Sequence, residues 1–233
     1  MKMEKNMLKW ISDKDLYTIC ENIIKSTREN TSDAVDFTNI VDPFSAVFDV
    51  VLNDISYNEW FKNENIRQKQ KTLQNQIGRF HQSVLGKVKG WKDLGTGDVV
   101  DLVNTDKRII AEVKNKHNTV KGSDKIGVFD TLARALNYGY RGFTGYYVTI
   151  LAKQSVNRPF VPSDNEKRGR PEANEHIREI DGASFYEIAT GSKTALADLY
   201  QYLPKVLAGI TGVNSTKIIK DPWFSELFTK AIK

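Results

Sequence analysis

The sequence predicts a mixed α/β fold, a mixed central sheet flanked by helices, with extra helices at both ends of the chain. Two observations carry this. A hairpin pattern, GTGDVVDLVNTDKRIIAEVKNKHNT (Gly95 to Thr119), sits between two helical patterns. After the second helix comes an uncharged, β-branched and aromatic run, YYVTIL (Tyr146 to Leu151), of the kind found in strands covered on both faces. Helix, hairpin, helix, strand is the order of one sheet packed between helices.

At 233 residues the chain suits a single domain with a sizeable core. The core is expected to span about 57–152, with a helical addition over 1–56 and a recognition loop, strand and helices over 153–233. The net charge of +5 and a pI near 9.1 are compatible with a polyanionic partner without requiring one. A single cysteine, Cys20, excludes an internal disulfide and a cysteine-based zinc site. It shares an apolar helical stripe with Leu16, Ile19, Ile23 and Ile24 and reads as a core thiol. No run approaches the length of a membrane span and the N-terminus lacks a signal-peptide core, so the expectation is a cytoplasmic protein with no membrane partner.

Taken in order, Ser12 is placed to cap a first helix, with Asp15 completing a capping-box-like start, and the helix should run to about Glu29. Pro43 marks the first turn of a second helix, whose Phe44, Val47, Phe48, Val51 and Leu52 predict burial. From Tyr57 to Val88 a long proline-free pattern repeats Ile66, Leu73, Ile77, Phe80, Val84 and Val88 at helical intervals. Its other faces are rich in Arg, Lys, Gln and Asn. Such a run is usually a solvated face; the functional alternative has Gln74 and Asn75 reaching DNA. His81, in the same helix, reads as a packing or surface residue.

Beyond the hairpin, Ser123 can cap a helix through Tyr138, with Ile126, Phe129, Leu132, Ala133 and Leu136 inward and Gly139 as the stop. Residues 153–182 read as an irregular basic segment: Pro159, Pro162 and Pro171 surround Lys167-Arg168-Gly169-Arg170. It is either a solvated loop or a DNA-recognition loop, arginine being the side chain that bonds guanine O6 and N7 in the major groove. Ala183 to Ile188 is expected to be a strand. Gly191-Ser192 then opens a helix carrying Leu196, Leu199, Tyr200 and Leu203, interrupted or kinked at Pro204. Pro222 to Ile232 closes the chain as a short amphipathic helix.

The chemistry concentrates in the hairpin. Alternation along a strand puts Glu112 and Lys114 on one face and Val113 on the other. Surface strands commonly carry such charge pairs, so the upstream aspartates decide the reading. A four-residue turn, Asn104 to Lys107, places Val103 against Arg108 and Asp101 against Ile110, on the face of Glu112 and Lys114. The reverse face is then wholly apolar: Val100, Leu102, Ile109, Ala111 and Val113. A three-residue turn instead sets Asp98 against Glu112 and buries Asp101 among valines and isoleucine, at a cost of several kcal/mol. Asp101 is therefore the first candidate, and Asp98 the second, since a bulge near Gly97 would reverse the parity. Two carboxylates and an ammonium on one wall suit metal-assisted phosphodiester hydrolysis.

This array resembles the PD-(D/E)xK nuclease superfamily, with Asp101, Glu112 and Lys114 at the three motif positions, although no proline precedes either aspartate. More narrowly, IIAEVKNKHNT, QNQIGRFHQSVLG and IDGASFYEIATG with LADLYQYLP resemble type II restriction endonucleases of the family that cleaves GGNCC-type sites. The resemblance implies a restriction-endonuclease-like core, Mg²⁺ held by Asp101, Glu112 and the Val113 carbonyl, and Lys114 orienting the attacking water. It further implies a homodimer acting on double-stranded DNA, 5′-phosphate ends, DNA contacts from Asn115, Lys116, His117 and Asn118, and a cognate DNA methyltransferase in the same system. A structure-specific repair or junction nuclease of the same superfamily, and a non-catalytic DNA-binding regulator, are the alternatives.

Overall fold

The uncharged run forms β4 (Thr144–Leu151), which is buried along almost its whole length. The structure is a computed structural model describing residues 7–29, 35, 37, 41–95, 97–117, 122–163 and 169–232. The remaining strands are β1 (Lys92–Asp93), β2 (Leu102–Asn104), β3 (Ile109–Lys116), β5 (Asn157–Pro159) and β6 (Ile177–Asp181). They form one sheet in the order β1-β2-β3-β4-β6-β5. β4 runs parallel to β3 and β6, and the other pairings are antiparallel. The expected mixed sheet flanked by helices is thus the observed architecture. The helices are α1 (Asp13–Glu29), α2 (Pro43–Asn53), α3 (Tyr57–Leu85), α4 (Gly122–Tyr138), α5 (Gly182–Thr190), α6 (Ala195–Thr211), α7 (Ser215–Ile219) and α8 (Pro222–Ala231). The chain divides into two compact units, one formed by Met1–Cys20 with Phe80–Lys233, the other by Glu21–Arg79. The sheet belongs to the first.

Register aligns Ile110, Gly145 and Ile177 across the three parallel strands. α4 packs closely over Gly145: a Cβ there would lie 3.3 Å from Leu132 Cδ2 and 3.5 Å from Leu136 Cδ1. Around it Val103, Ile110, Leu132, Ala135, Tyr147, Phe160 and Ile177 form a contiguous core. On the opposite face Phe185 of α5 meets the rings of Tyr146 and Trp91. Layered burial of this kind is the main favourable contribution to stability.

Several local expectations hold. Ser12 Oγ accepts from Asp15 N–H at 3.0 Å and donates to Asp15 Oδ2 at 2.6 Å, which satisfies an orphan donor at the start of α1. Cys20 is buried, and burial pushes its thiol up to about 12. Pro43 opens α2, and Asp42 Oδ1 accepts from Phe44 and Ser45 N–H. The side chain of Ser123 lies outside the described residues.

Four expectations fail. Ala183 to Ile188 is not a strand but the body of α5. Asp181 caps that helix by accepting from Ser184 N–H at 2.9 Å, and Gly191 ends it in a left-handed conformation at φ 77°. The cap outweighs the strand propensity of Phe185, Tyr186 and Ile188. The strand falls instead at Ile177–Asp181, so the segment taken as irregular contributes both β5 and β6. In α2 the stripe expected to be buried points outward, and only Ala46 is covered. The α3 stripe is buried at Phe80 and Val84, whereas Ile66 and Leu73 are exposed. Of the two readings of Pro204, interruption or kink, the first is excluded, because α6 continues through it to Thr211 with Pro204 buried.

Gly182 is where α5 meets β4. A Cβ there would stand 2.5 Å from Ile150 O and 2.7 Å from Ile150 Cα, both backbone atoms that cannot rotate away. Gly182→Ala should therefore cost about 1–3 kcal/mol, as overpacked sites do. Chemical denaturation checks this, and an unchanged midpoint would show that the two backbones are not locked together here.

Candidate active site

The site begins with the geometry of one turn. Asn104 pairs with Ile109, Val103 with Ile110 and Leu102 with Ala111. The four-residue loop is therefore Thr105 to Arg108, one residue later than expected. Asn104 Oδ1 accepts from Lys107 N–H at 2.8 Å, so its side chain shapes the turn while its backbone stays in the ladder. Arg108 closes the loop at φ 52°, its N–H bonded to Thr105 O at 3.2 Å. Lys107 Nζ donates to Ile188 O at 2.6 Å, tying the hairpin tip to the end of α5.

Moving the loop by one residue moves the register by two and keeps the parity. The ladder ends at Leu102 against Ala111, which leaves Asp101 just before β2 and bonded to the backbone around Glu112 rather than paired with Ile110, its expected partner. Asp101 N–H donates to Ala111 O at 3.1 Å, and Val113 N–H donates to Asp101 Oδ2 at 2.7 Å. One carboxylate oxygen is thus held by the backbone of β3. Glu112 Oε1 accepts from Lys114 Nζ at 2.6 Å, and both side chains are partly buried.

The electrostatics follow from this crowding. Burial pushes the Asp101 carboxyl up to about 6, the Glu112 charge adds to the rise and Asp93 contributes further. The Val113 N–H and Lys114 oppose it without cancelling it. For Lys114 burial acts downward, but the hydrogen bond to Glu112 and the charges of Glu112 and Asp101 leave it above the ordinary lysine value. A buried carboxyl beside a second carboxylate is a site that favours an added cation.

The parallel register with β4 adds residues that sequence reasoning passed over. Tyr147 lies beside Glu112 and Glu179 beside Tyr147, one row across the same face. Glu179 is satisfied by Arg158 Nε at 2.6 Å. Lys125 Nζ of α4 stands over the Tyr147 ring, 6.0 Å from its centroid. Tyr147 was visible only as part of an apolar run, and its role as neighbour of Glu112 depends on knowing that β3 and β4 pair in parallel. Lys125 gave no signal at all.

The other predicted site residues are dispersed. Asp98 is exposed and bonded within its own residue pair, Oδ1 accepting from Val99 N–H at 2.8 Å. Asn115 and Lys116 finish β3, and His117 follows, its N–H donating to Leu151 O at 3.3 Å. Gln74 and Asn75 are exposed on α3. Arg170 is exposed; Asn118, Lys167 and Arg168 lie outside the described residues. His81 is a packing residue: Nδ1 lies 2.9 Å from Tyr186 Oη, and burial pushes the ring down to about 4.

A family model for the Eco47II restriction endonuclease matches residues 8–211. The chain belongs to that family. Among its relatives, the type II restriction enzyme Eco47II of Escherichia coli is 40% identical over 210 residues, covering 87% of either chain. The type II restriction enzyme Sau96I of Staphylococcus aureus is 30% identical over 214 residues, covering 88% of this chain and 81% of its own. As a member of the Eco47II family the chain is a type II restriction endonuclease acting on DNA. In this family member no helix among the described residues is long and apolar enough to cross a membrane.

The raised Asp101 carboxyl has a signed consequence for the metal-free protein. Its folded pKa exceeds the unfolded value, so the ionised group destabilises the fold above about pH 6, and the penalty fades as pH falls below that. Asp101→Asn should therefore be more stable than wild type at pH 8 in chelator, by at most about 3 kcal/mol. The advantage should shrink between pH 6 and 4. Urea unfolding at several pH values measures it, and a difference independent of pH would contradict the assignment.

Proposed function

We propose that the protein hydrolyses both strands of a short palindromic site of the GGNCC type with Mg²⁺, leaving 5′-phosphate and 3′-hydroxyl ends. The observation that carries this is the closeness of Asp101, Glu112 and Lys114, with the Asp101 carboxyl bonded to Val113 N–H and raised by the Glu112 charge. Among the described residues no cluster of three or more His, Cys, Asp or Glu is assembled. The donor set is therefore two carboxylates with main-chain oxygen, which fits Mg²⁺, an ion that keeps several waters and needs few protein ligands. Asp101, Glu112 and the Val113 carbonyl would hold it. When bound, the ion supplies Lewis-acid stabilisation of charge on the phosphoryl oxygens.

The chain's own groups do the rest. Lys114 exchanges its bond to Glu112 for the attacking water and, as a fixed cation, favours loss of that water's proton. The Val113 N–H holds Asp101 in place throughout. Asn115, Lys116, His117 and Asn118 lead away from the catalytic strand toward the DNA backbone. Gln74 and Asn75, with Lys167, Arg168 and Arg170, are the proposed sequence-reading and phosphate-binding groups. Two strands and one such centre per chain make the working form a homodimer. A cognate methyltransferase modifying the same site in the cytoplasm protects the host DNA.

Purified protein with unmethylated phage DNA and Mg²⁺ should give discrete bands whose sequenced ends share one site. Glu112→Ala and Lys114→Ala should each lower cutting by roughly 10²–10⁴-fold while specific DNA binding persists. Variants that cut as well as the parent would sink the proposal. Protons and Mg²⁺ compete at Asp101, so the Mg²⁺ concentration for half-maximal cutting should rise as pH falls through about 6. A Mg²⁺ requirement that stays flat across that range would remove Asp101 from the metal site.

A further inference from the structure

In α2 the apolar stripe faces solvent. Phe44 is 77% exposed, Phe48 69%, Val51 72%, Leu52 79% and Val47 50%, whereas Ala46, on the opposite side of the helix, is buried. At 100° per residue these five side chains lie within one face. Among the described residues, ten of the eighteen exposed large apolar side chains fall within Glu21–Arg79, a quarter of the chain. The concentration marks this unit as the place where an apolar surface is left to be covered.

Charge narrows what can cover it. α2 has no basic residue, its one charged residue being Asp49, and Asp42 and Asp54 flank its ends. A face framed by three aspartates repels a polyphosphate, so DNA is not the occupant. Interfacial membrane helices carry lysine and arginine beside their apolar face, and α2 carries none. The occupant is therefore a protein surface. Asp49 sits off the stripe, where Asn53 Nδ2 donates to its carboxylate. Two copies of the stripe related by a two-fold axis can meet without like charges on the axis. The five side chains expose on the order of 700 Å², against roughly 800 Å² per partner in a standard stable interface.

We propose that the α2 face is the surface through which two copies of this chain associate. The choice of a second copy as occupant rests on the reading above, in which one centre per chain must serve two strands.

Light scattering and sedimentation of the full-length chain at micromolar concentration test this. Wild type should be a dimer, and Phe48→Glu combined with Leu52→Glu should raise the dimer dissociation constant at least about 100-fold with unchanged helix content. A second measurement does not depend on that variant folding. Val47→Cys, Phe48→Cys and Val51→Cys, made singly and mildly oxidised, should include at least one that gives a disulfide-linked dimer, while Tyr138→Cys, exposed on α4, does not. Cys20 is buried and does not compete. A monomeric wild type, a glutamate variant that stays dimeric, or crosslinking at Tyr138→Cys alone overturns the proposal. Mg²⁺-dependent cutting by wild type is scored separately. A wild type that cuts while the glutamate variant remains dimeric moves the interface and leaves the nuclease reading standing. A chain that crosslinks through α2 but cuts no DNA keeps the interface and removes that reading.

Discussion

The bond from Val113 N–H to Asp101 Oδ2, 2.7 Å long, is the constraint on which the candidate site depends. β2 is only three residues long, and Asp101 lies just before it, outside regular strand. Backbone bonds from Asp101 N–H to Ala111 O and from Leu94 N–H to Asp101 O hold the residue, but they leave its carboxylate free to turn. With the Val113 bond, a side chain from irregular backbone is fixed against the middle of a buried parallel strand. The rest of the hairpin serves the same placement: Asn104 shapes the turn, Arg108 accepts a left-handed backbone and Lys107 fastens the tip to α5. An active site needs such preorganisation, because carboxylates that repel each other will separate unless the backbone forbids it.

The same crowding explains why the face is chemically poised. Burial of the Asp101 carboxyl, with two carboxylates facing one lysine, raises its proton affinity. Elsewhere carboxylates in the sheet are fully answered. Glu179 has Arg158, and Asp181 accepts from Ser155, Val156 and Ser184, whose hydrogen bonds hold its carboxyl below the ordinary range although burial works against them. Asp101, half-buried, and Asp181, buried, are thus shifted in opposite directions, because only Asp181 has enough hydrogen-bond donors to offset its burial.

What could be read from the chain alone was whatever a local period or a cap decides. The common face of Glu112 and Lys114, the buried β4 and the start of α1 all follow from neighbours a few residues apart. The exact loop was not legible, because Asn104 can either sit in a turn or direct one from the ladder. α5 was misread because Ala183 to Ile188 has the composition of a strand, although Asp181 and Gly182 hold the contrary signal. The periodicity of α2 showed which side is apolar but carried no information about whether its own chain covers it. Tyr147 and Lys125 reach the site only through parallel pairing and helix placement, which are tertiary facts.

The two outermost strands have a consequence of their own. β1 is two residues long, and β5 is three residues ending in Pro159, a residue with no N–H to offer a further strand. Both margins of the sheet are therefore poor templates for β-augmentation, which blunts amyloid-like stacking and domain swapping by strand exchange. Copies of this protein can be crowded onto one stretch of DNA without their sheets fusing.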